Sequence, residues 1–325
     1  MKNKKTIIIL ALVSLLLVLD FLFIGLNKDN YDYLLSLRIP KLIAILITAI
    51  ATAFATNVGS SIAFSSTLFQ TITNNIILTP SILGLDSLYL LIQTTIVFYF
   101  GSASIFVINK NINFLTSILL MLVFSSLIYG YVLKKNKDNI MKVLLVGLVL
   151  SSLFSSISSF LQMVIDPNEF LIIQDKMFAS FNNVNTKILA LASLMVICST
   201  SYVFINNKTL DVLNLGRDNA VNLGVDYKKT VKVLLFNVFC LVSISTALVG
   251  PITFLGLLVV NLARHLSPGY GHDRLLISSS LIAITALLLG QIIAERILNF
   301  AVPISIIINF LGGIYFIYLL VKENL

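Results

Sequence analysis

The feature that most constrains this chain is a series of apolar runs, each close to the length that crosses a lipid bilayer. About ten can be counted, near residues 6–26, 41–63, 82–100, 114–133, 140–163, 187–205, 231–249, 252–266, 275–295 and 304–321. A hydrocarbon layer of about 30 Å takes about 20 apolar residues as helix. Backbone amides have no water to bond there, so the runs must fold as helices. The expected fold is an all-α polytopic membrane protein of about ten transmembrane helices, forming a single transmembrane domain over residues 1–325. Composition agrees, with 58% hydrophobic and 11% charged residues against about 25% charged in an average soluble domain. The run behind "MKNKK" exceeds the apolar core of a secretory signal and lacks a small-residue cleavage site, so it reads as an uncleaved anchor.

A net charge of +8 could suggest a nucleic-acid partner, but the Lys and Arg residues sit in short segments flanking the runs. With the N-terminus inside, fifteen of the 22 fall in inner segments, including Lys2, Lys4, Lys5, Lys134, Lys135, Lys208, Arg217, Lys228, Lys229, Arg264 and Arg274. Lys28, Arg38, Lys41, Lys110, Lys176, Lys187 and Arg296 remain outside. This is the positive-inside bias, and it places both termini in the cytoplasm of a multi-pass protein of the cell membrane. Cys198 and Cys240 fall inside separate runs and read as buried free thiols rather than a disulfide.

Catalytic patterns are missing. The sequence has no G-x-x-x-x-G-K-[ST] phosphate loop, no H-E-x-x-H, no Cys/His cluster and no nucleophile elbow. Its two histidines, His265 and His272, lie in the loop before the ninth run. No cofactor, no resident metal and no enzymatic activity are expected. Charged residues within or at the edges of runs are few: Asp20, Asp86 and the pair Glu295 and Arg296. An ion-coupled secondary transporter, the alternative from another class, would need more of them. The polar residues that do enter the bundle are mostly uncharged, among them Asn57, Gln70, Gln93, Gln162, Asn237, Gln291 and Asn309, and are expected to hydrogen-bond between helices.

Residues 210–229, "LDVLNLGRDNAVNLGVDYKK", spend about twenty positions on what a five-residue loop could join. Thr209 can cap a short helix from Leu210 to Leu215 closed by Gly216, and a second helix from Asp218 to Leu223 closes at Gly224. Helices this short need a surface to pack on. Leu210, Leu213, Val221 and Leu223 are expected to supply apolar contacts, while Asp211, Arg217, Asp218, Lys228 and Lys229 face outward. A cytoplasmic partner with a receiving groove fits this pattern. Elsewhere "PSILGL" and "PITFLGL", 171 residues apart, are alike and hint at a duplicated half.

In chain order, "LRIPK", "FQTITNNIILTPSILGL", "LDVLNLGRDNAVNLGV", "GPITFLGLLVVNLARHL", "GHDRLL" and "AVPISIIINFLGGIYFIYLL" resemble the FecCD permeases of binding-protein-dependent ABC importers for iron-siderophores and cobalamin. The resemblance runs from about residue 30 to 321. It implies one permease subunit of an ATP-driven importer for a ferric siderophore, with cobalamin or haem as the family's alternative cargo. It also implies a second permease subunit, copy or paralogue, two cytoplasmic ATPase subunits that carry ATP and Mg, and an extracytoplasmic substrate-binding protein. Carried over, residues 209–224 would be coupling helices, with Leu210, Leu213, Leu215, Gly216, Arg217, Ala220, Leu223 and Gly224 seating in the ATPase. Arg38, Lys41 and Arg296 match the outer cations that dock the binding protein. Lys41 stands where arginine is usual, and an ammonium cannot grip a carboxylate bidentately. The family's inner-loop pattern falls on Gln70, Asn74, Asn75, Ile76, Pro80 and Gly84, with Asn74 replacing an arginine. The C-terminal stretch is most like the catecholate and petrobactin branch.

Overall fold

The computed structural model describes residues 59–135, 140–179 and 186–323, apart from positions 268, 270 and 300, together with Ile9, Leu12, Val13 and Leu16 of the first run. From residue 59 onward the described chain folds into thirteen α-helices. They are α1 (Gly59–Thr73), α2 (Leu85–Phe100), α3 (Ile105–Ile108), α4 (Lys110–Lys135), α5 (Ile140–Val164), α6 (Pro167–Met177) and α7 (Thr186–Ile205). These are followed by α8 (Asn207–Leu213), α9 (Arg217–Asn222), α10 (Tyr227–Val249), α11 (Leu255–Leu266), α12 (His272–Ile292) and α13 (Ile304–Glu323). Helices α4, α5, α10 and α12 are each long and apolar enough to cross a membrane, and α7 with α8 forms a fifth candidate bent by 60°.

Two apolar runs contain shorter helices than their length suggests. The run 252–266 becomes helical only at Leu255, giving a helix of 12 residues, or about 18 Å. The run 82–100 opens with a 3₁₀ turn over Pro80–Leu83 before α2 begins. These irregular openings are the two stretches alike in sequence, and they touch, the Ser81 hydroxyl donating to the Thr253 carbonyl at 3.5 Å. Backbone without helical partners is tolerated at membrane depth where protein surrounds it. Gly84 shows how tight that enclosure is. It holds φ +71°, and a Cβ there would stand 2.9 Å from the Ser151 Cα.

The apolar interior forms two clusters. The larger gathers Phe64, Leu68 and Phe69 of α1 with residues of α2, α4, α5 and α7 to α10, and with Leu276 of α12. The smaller joins Ala63 of α1 to Leu255, Val259 and Val260 of α11, Ala283 and Leu287 of α12, and Ile304 and Ile308 of α13. Helix α1 therefore belongs to both. Two uncharged polar residues bridge helices as expected: Gln93 of α2 bonds Ser117 and Asn113 of α4, and Gln162 of α5 bonds Thr94 of α2 as well as Ser158 of its own helix. Asn237 instead donates to the Val233 carbonyl of its own helix.

Helix α6 was not anticipated from the sequence. Asp166 accepts from the Asn168 amide, Pro167 occupies the first turn, and Ile173 is fully buried, so the helix is capped and anchored despite its 11 residues. Glu169 fastens it to the loop after α2, accepting from the Ser102 amide at 3.1 Å and from its hydroxyl at 3.3 Å.

Candidate partner-docking site

The chain leaves α7 at Ile205, turns at Asn206 and re-enters helix as α8. The expected start at Leu210 under a Thr209 cap is corrected: α8 begins three residues earlier, with Asn206 at its N-cap position. Its inward face carries Leu210 and Leu213, 0% and 2% exposed, and α9 adds Ala220 at 0%. All three belong to the larger core. Burying side chains of leucine size stabilises by about 2 kcal/mol each, which is what holds helices too short to stand alone. Between them Gly216 adopts φ +92° and ψ 164°, a conformation open essentially only to glycine. Asp226 then caps α10 by accepting from the Lys229 amide at 3.2 Å.

The outward face is a second apolar set. Leu215, Val221 and Leu223 are 57%, 51% and 62% exposed, with Gly224 beside them. Arg217 and Asp218 are exposed on α9, and the Arg217 guanidinium lies 5.6 Å from the centre of the Tyr227 ring. Leu210, Leu213 and Ala220, expected to meet a partner, are committed to this chain's own interior.

Asp211, expected to face outward, keeps its side chain 41% exposed while also bonding inward. Its Oδ1 accepts from the His272 backbone amide at 2.9 Å and from His272 Nδ1 at 2.6 Å. A carboxylate can only accept, so Nδ1 carries a proton; Nε2 meets the Thr71 hydroxyl at 2.9 Å. His272 is 3% exposed. Next to this chain the Arg264 guanidinium donates to Gln70 Oε1 at 2.9 Å, and Asn261 donates to the Ile76 carbonyl at 3.1 Å. The segment after α1 is thereby tied to the end of α11. Within it Asn74 takes φ +49° and Asn75 accepts from the Ile77 amide.

Sequence reasoning missed Asp211, His272, Thr71 and Arg264 as partners, because their contacts span 61 to 201 residues and leave no local pattern. Among the described residues no group of three His, Cys, Asp or Glu side chains could hold a metal. Arg38 and Lys41 lie outside the described residues. Arg296 falls in the π-helical turn Ile293–Ile297 that ends α12, and its side chain lies outside them too.

At the other end of α7, a cavity of about 250 Å³ is lined by Tyr89, Lys110, Asn113, Asp175, Lys176 and Gly250, among others. Burial holds the Lys176 pKa below the usual lysine value, with Asp175 pulling it partly back up.

Comparison with known proteins places this architecture. The model of the FecCD transport family matches residues 6–322. The chain is 54% identical over 324 residues to the petrobactin import system permease protein YclO of Bacillus subtilis (strain 168), covering 100% of this chain and 99% of that one. It is 31% identical over 301 residues to the petrobactin import system permease protein FatC of Bacillus anthracis, covering 93% and 82%. A solved metal-chelate type ABC transporter in an inward-facing conformation superposes with a TM-score of 0.80 at 26% identity, over 98% of this chain and 99% of that one.

Proposed function

Belonging to the FecCD transport family, this chain is a multi-pass membrane permease subunit of an ABC importer and not an enzyme, and we propose that its cargo is a ferric siderophore of the petrobactin type. The observation that carries the cargo reading is identity of 54% along the full length of a petrobactin import permease. Partial likeness could reflect the shared bundle alone, whereas this match spans 100% of this chain and 99% of that one.

The working unit pairs this chain with a second permease subunit, two ATPase subunits that hold ATP and Mg, and a substrate-binding protein. The charge bias of the sequence puts both termini and the α8–α9 segment in the cytoplasm. There Leu215, Gly216, Arg217, Val221, Leu223 and Gly224 form the surface that seats in an ATPase groove, while Leu210, Leu213 and Ala220 hold that surface on the bundle. Nucleotide-driven closure of the ATPases draws this surface and its counterpart on the second permease subunit together and rocks the permease subunits between outward and inward openings. On the opposite side Arg38, Lys41 and Arg296 engage acidic residues of the binding protein.

Replacing Leu215, Val221 and Leu223 together by Asp tests the assignment. In detergent-solubilised complexes the ATPase is expected to bind the triple variant about 100-fold more weakly or worse, because three buried apolar contacts are lost and three carboxylates are left desolvated in the groove. The melting temperature of the permease should hardly move. Undiminished ATPase binding would overturn the seat.

A further inference from the structure

We propose that Asp211, His272 and Thr71 form a positioning chain through which displacement of the docking helices enters α12 and α1; this rests on the reading of α8–α9 as the ATPase seat. The apolar anchors of α8 and α9 all lie in the larger core. Helix α12 contributes Leu276 to that core and Ala283 and Leu287 to the smaller one. The polar chain joins α8 to α12 beside Leu276, at the start of a helix that runs on into that second core.

The geometry favours transmission over simple filling of space. Gly271 precedes α12 and has no side chain with which to cap it. Asp211 reaches across 61 residues and takes both the His272 amide and its Nδ1–H on one oxygen. Apolar contacts slide at little cost, but two short bonds to one charged atom fix distance and direction together. The far side of the ring meets Thr71 in the last turn of α1, whose single hydroxyl proton is shared between His272 Nε2 at 2.9 Å and the Thr67 carbonyl at 2.8 Å. Immediately beyond lies the irregular segment that leads to Ser81 and its contact with Thr253. A shift of α8 is thus delivered at once to the start of α12 and to the end of α1, two helices that each take part in both cores.

The test uses the complete importer reconstituted in vesicles, with petrobactin loaded with radioactive iron as probe, and compares transport per ATP hydrolysed for Asp211→Ala, His272→Ala, the double variant and Thr71→Val. The expected result is ATPase binding and hydrolysis within about two-fold of the parent. Transport per ATP should fall about ten-fold, with the double variant no worse than either single, as groups acting in series require. A cap that only stabilises would lower the melting temperature and leave transport per ATP unchanged, and that outcome overturns the proposal. So does a parallel loss of ATPase binding and transport, which would make the chain a mere prop for the seat. Should Asp211→Ala fail to accumulate, Thr71→Val, which replaces one hydroxyl by a methyl, decides alone by the same ratio. Failure of the unaltered chain to bind ATPase would instead sink the seat and this proposal with it, so the two failures are told apart by the unaltered complex.

Discussion

Two segments of short helix sit at opposite ends of α7, α6 before it and the α8–α9 pair after it, and they spend their apolar residues differently. Helix α6 sends Ile173 inward, leaves a single large apolar side chain, Leu171, more than half exposed, ties Glu169 to Ser102 and borders a cavity. The α8–α9 pair also buries its anchors, Leu210, Leu213 and Ala220, yet keeps Leu215, Val221 and Leu223 in the open. A helix that only had to close a loop would not retain three large apolar side chains more than half exposed. The difference teaches that one segment exposes a lone apolar side chain while the other gathers three, which is the feature the proposed ATPase seat rests on.

The largest effect that can break this contrast is a charge placed on either face of the α8–α9 pair. Leu210→Asp puts an unpaired carboxylate among fully buried neighbours and should cost about 3 kcal/mol or more, read as a large drop in melting temperature and in accumulated protein. Val221→Asp should leave both unchanged while weakening ATPase binding. If the two variants behave alike, the division into inward and outward faces is wrong.

A smaller effect separates the two segments themselves. Ile173→Ala should destabilise the protein by about 2–4 kcal/mol, as a buried isoleucine truncated in a close-packed site does. ATPase binding should be unaffected, because α6 lies at the other end of α7. A loss of ATPase affinity in this variant would show that the two ends are not independent.

The smallest expected effect is on pH dependence. Burial depresses the folded-state pKa of Lys176, so between that value and the ordinary lysine value of about 10 the unfolded chain binds more protons than the folded one. Stability therefore rises with pH across that window. Lys176→Met should raise the melting temperature near neutral pH, with the gain shrinking as pH climbs toward about 10. A gain that persists at high pH would assign the effect to packing alone.

Much of the architecture was legible because run length is a physical requirement of the bilayer. The existence of two short helices after α7 was legible too, from Gly216 and Gly224. What could not be read was which leucines of that segment face in. Leu210 and Leu223 look alike along the chain, and their burial is decided by α1, α10 and α12, which fold back from far away. The same holds for Asp211, read as solvent-facing until His272 supplies a partner 61 residues on. Helix α6 left a signal in Asp166 and Pro167 ahead of apolar residues at Phe170, Ile173 and Met177. The end of α10 at Val249 was plain from the run 231–249, although the helix starts four residues earlier at Tyr227, whereas the late start of α11 at Leu255 depends on Gly250 lying against the distant Ala179 backbone and on the Thr253 carbonyl accepting from the Ser81 hydroxyl.

The most direct measurement is site-specific photo-crosslinking in the assembled importer, with a photoreactive residue placed at position 210, 213, 221 or 223. The account predicts adducts with the ATPase subunit from positions 221 and 223, and only adducts within the permease from 210 and 213. ATPase adducts from 210 and 213, or none from 221 and 223, would contradict it.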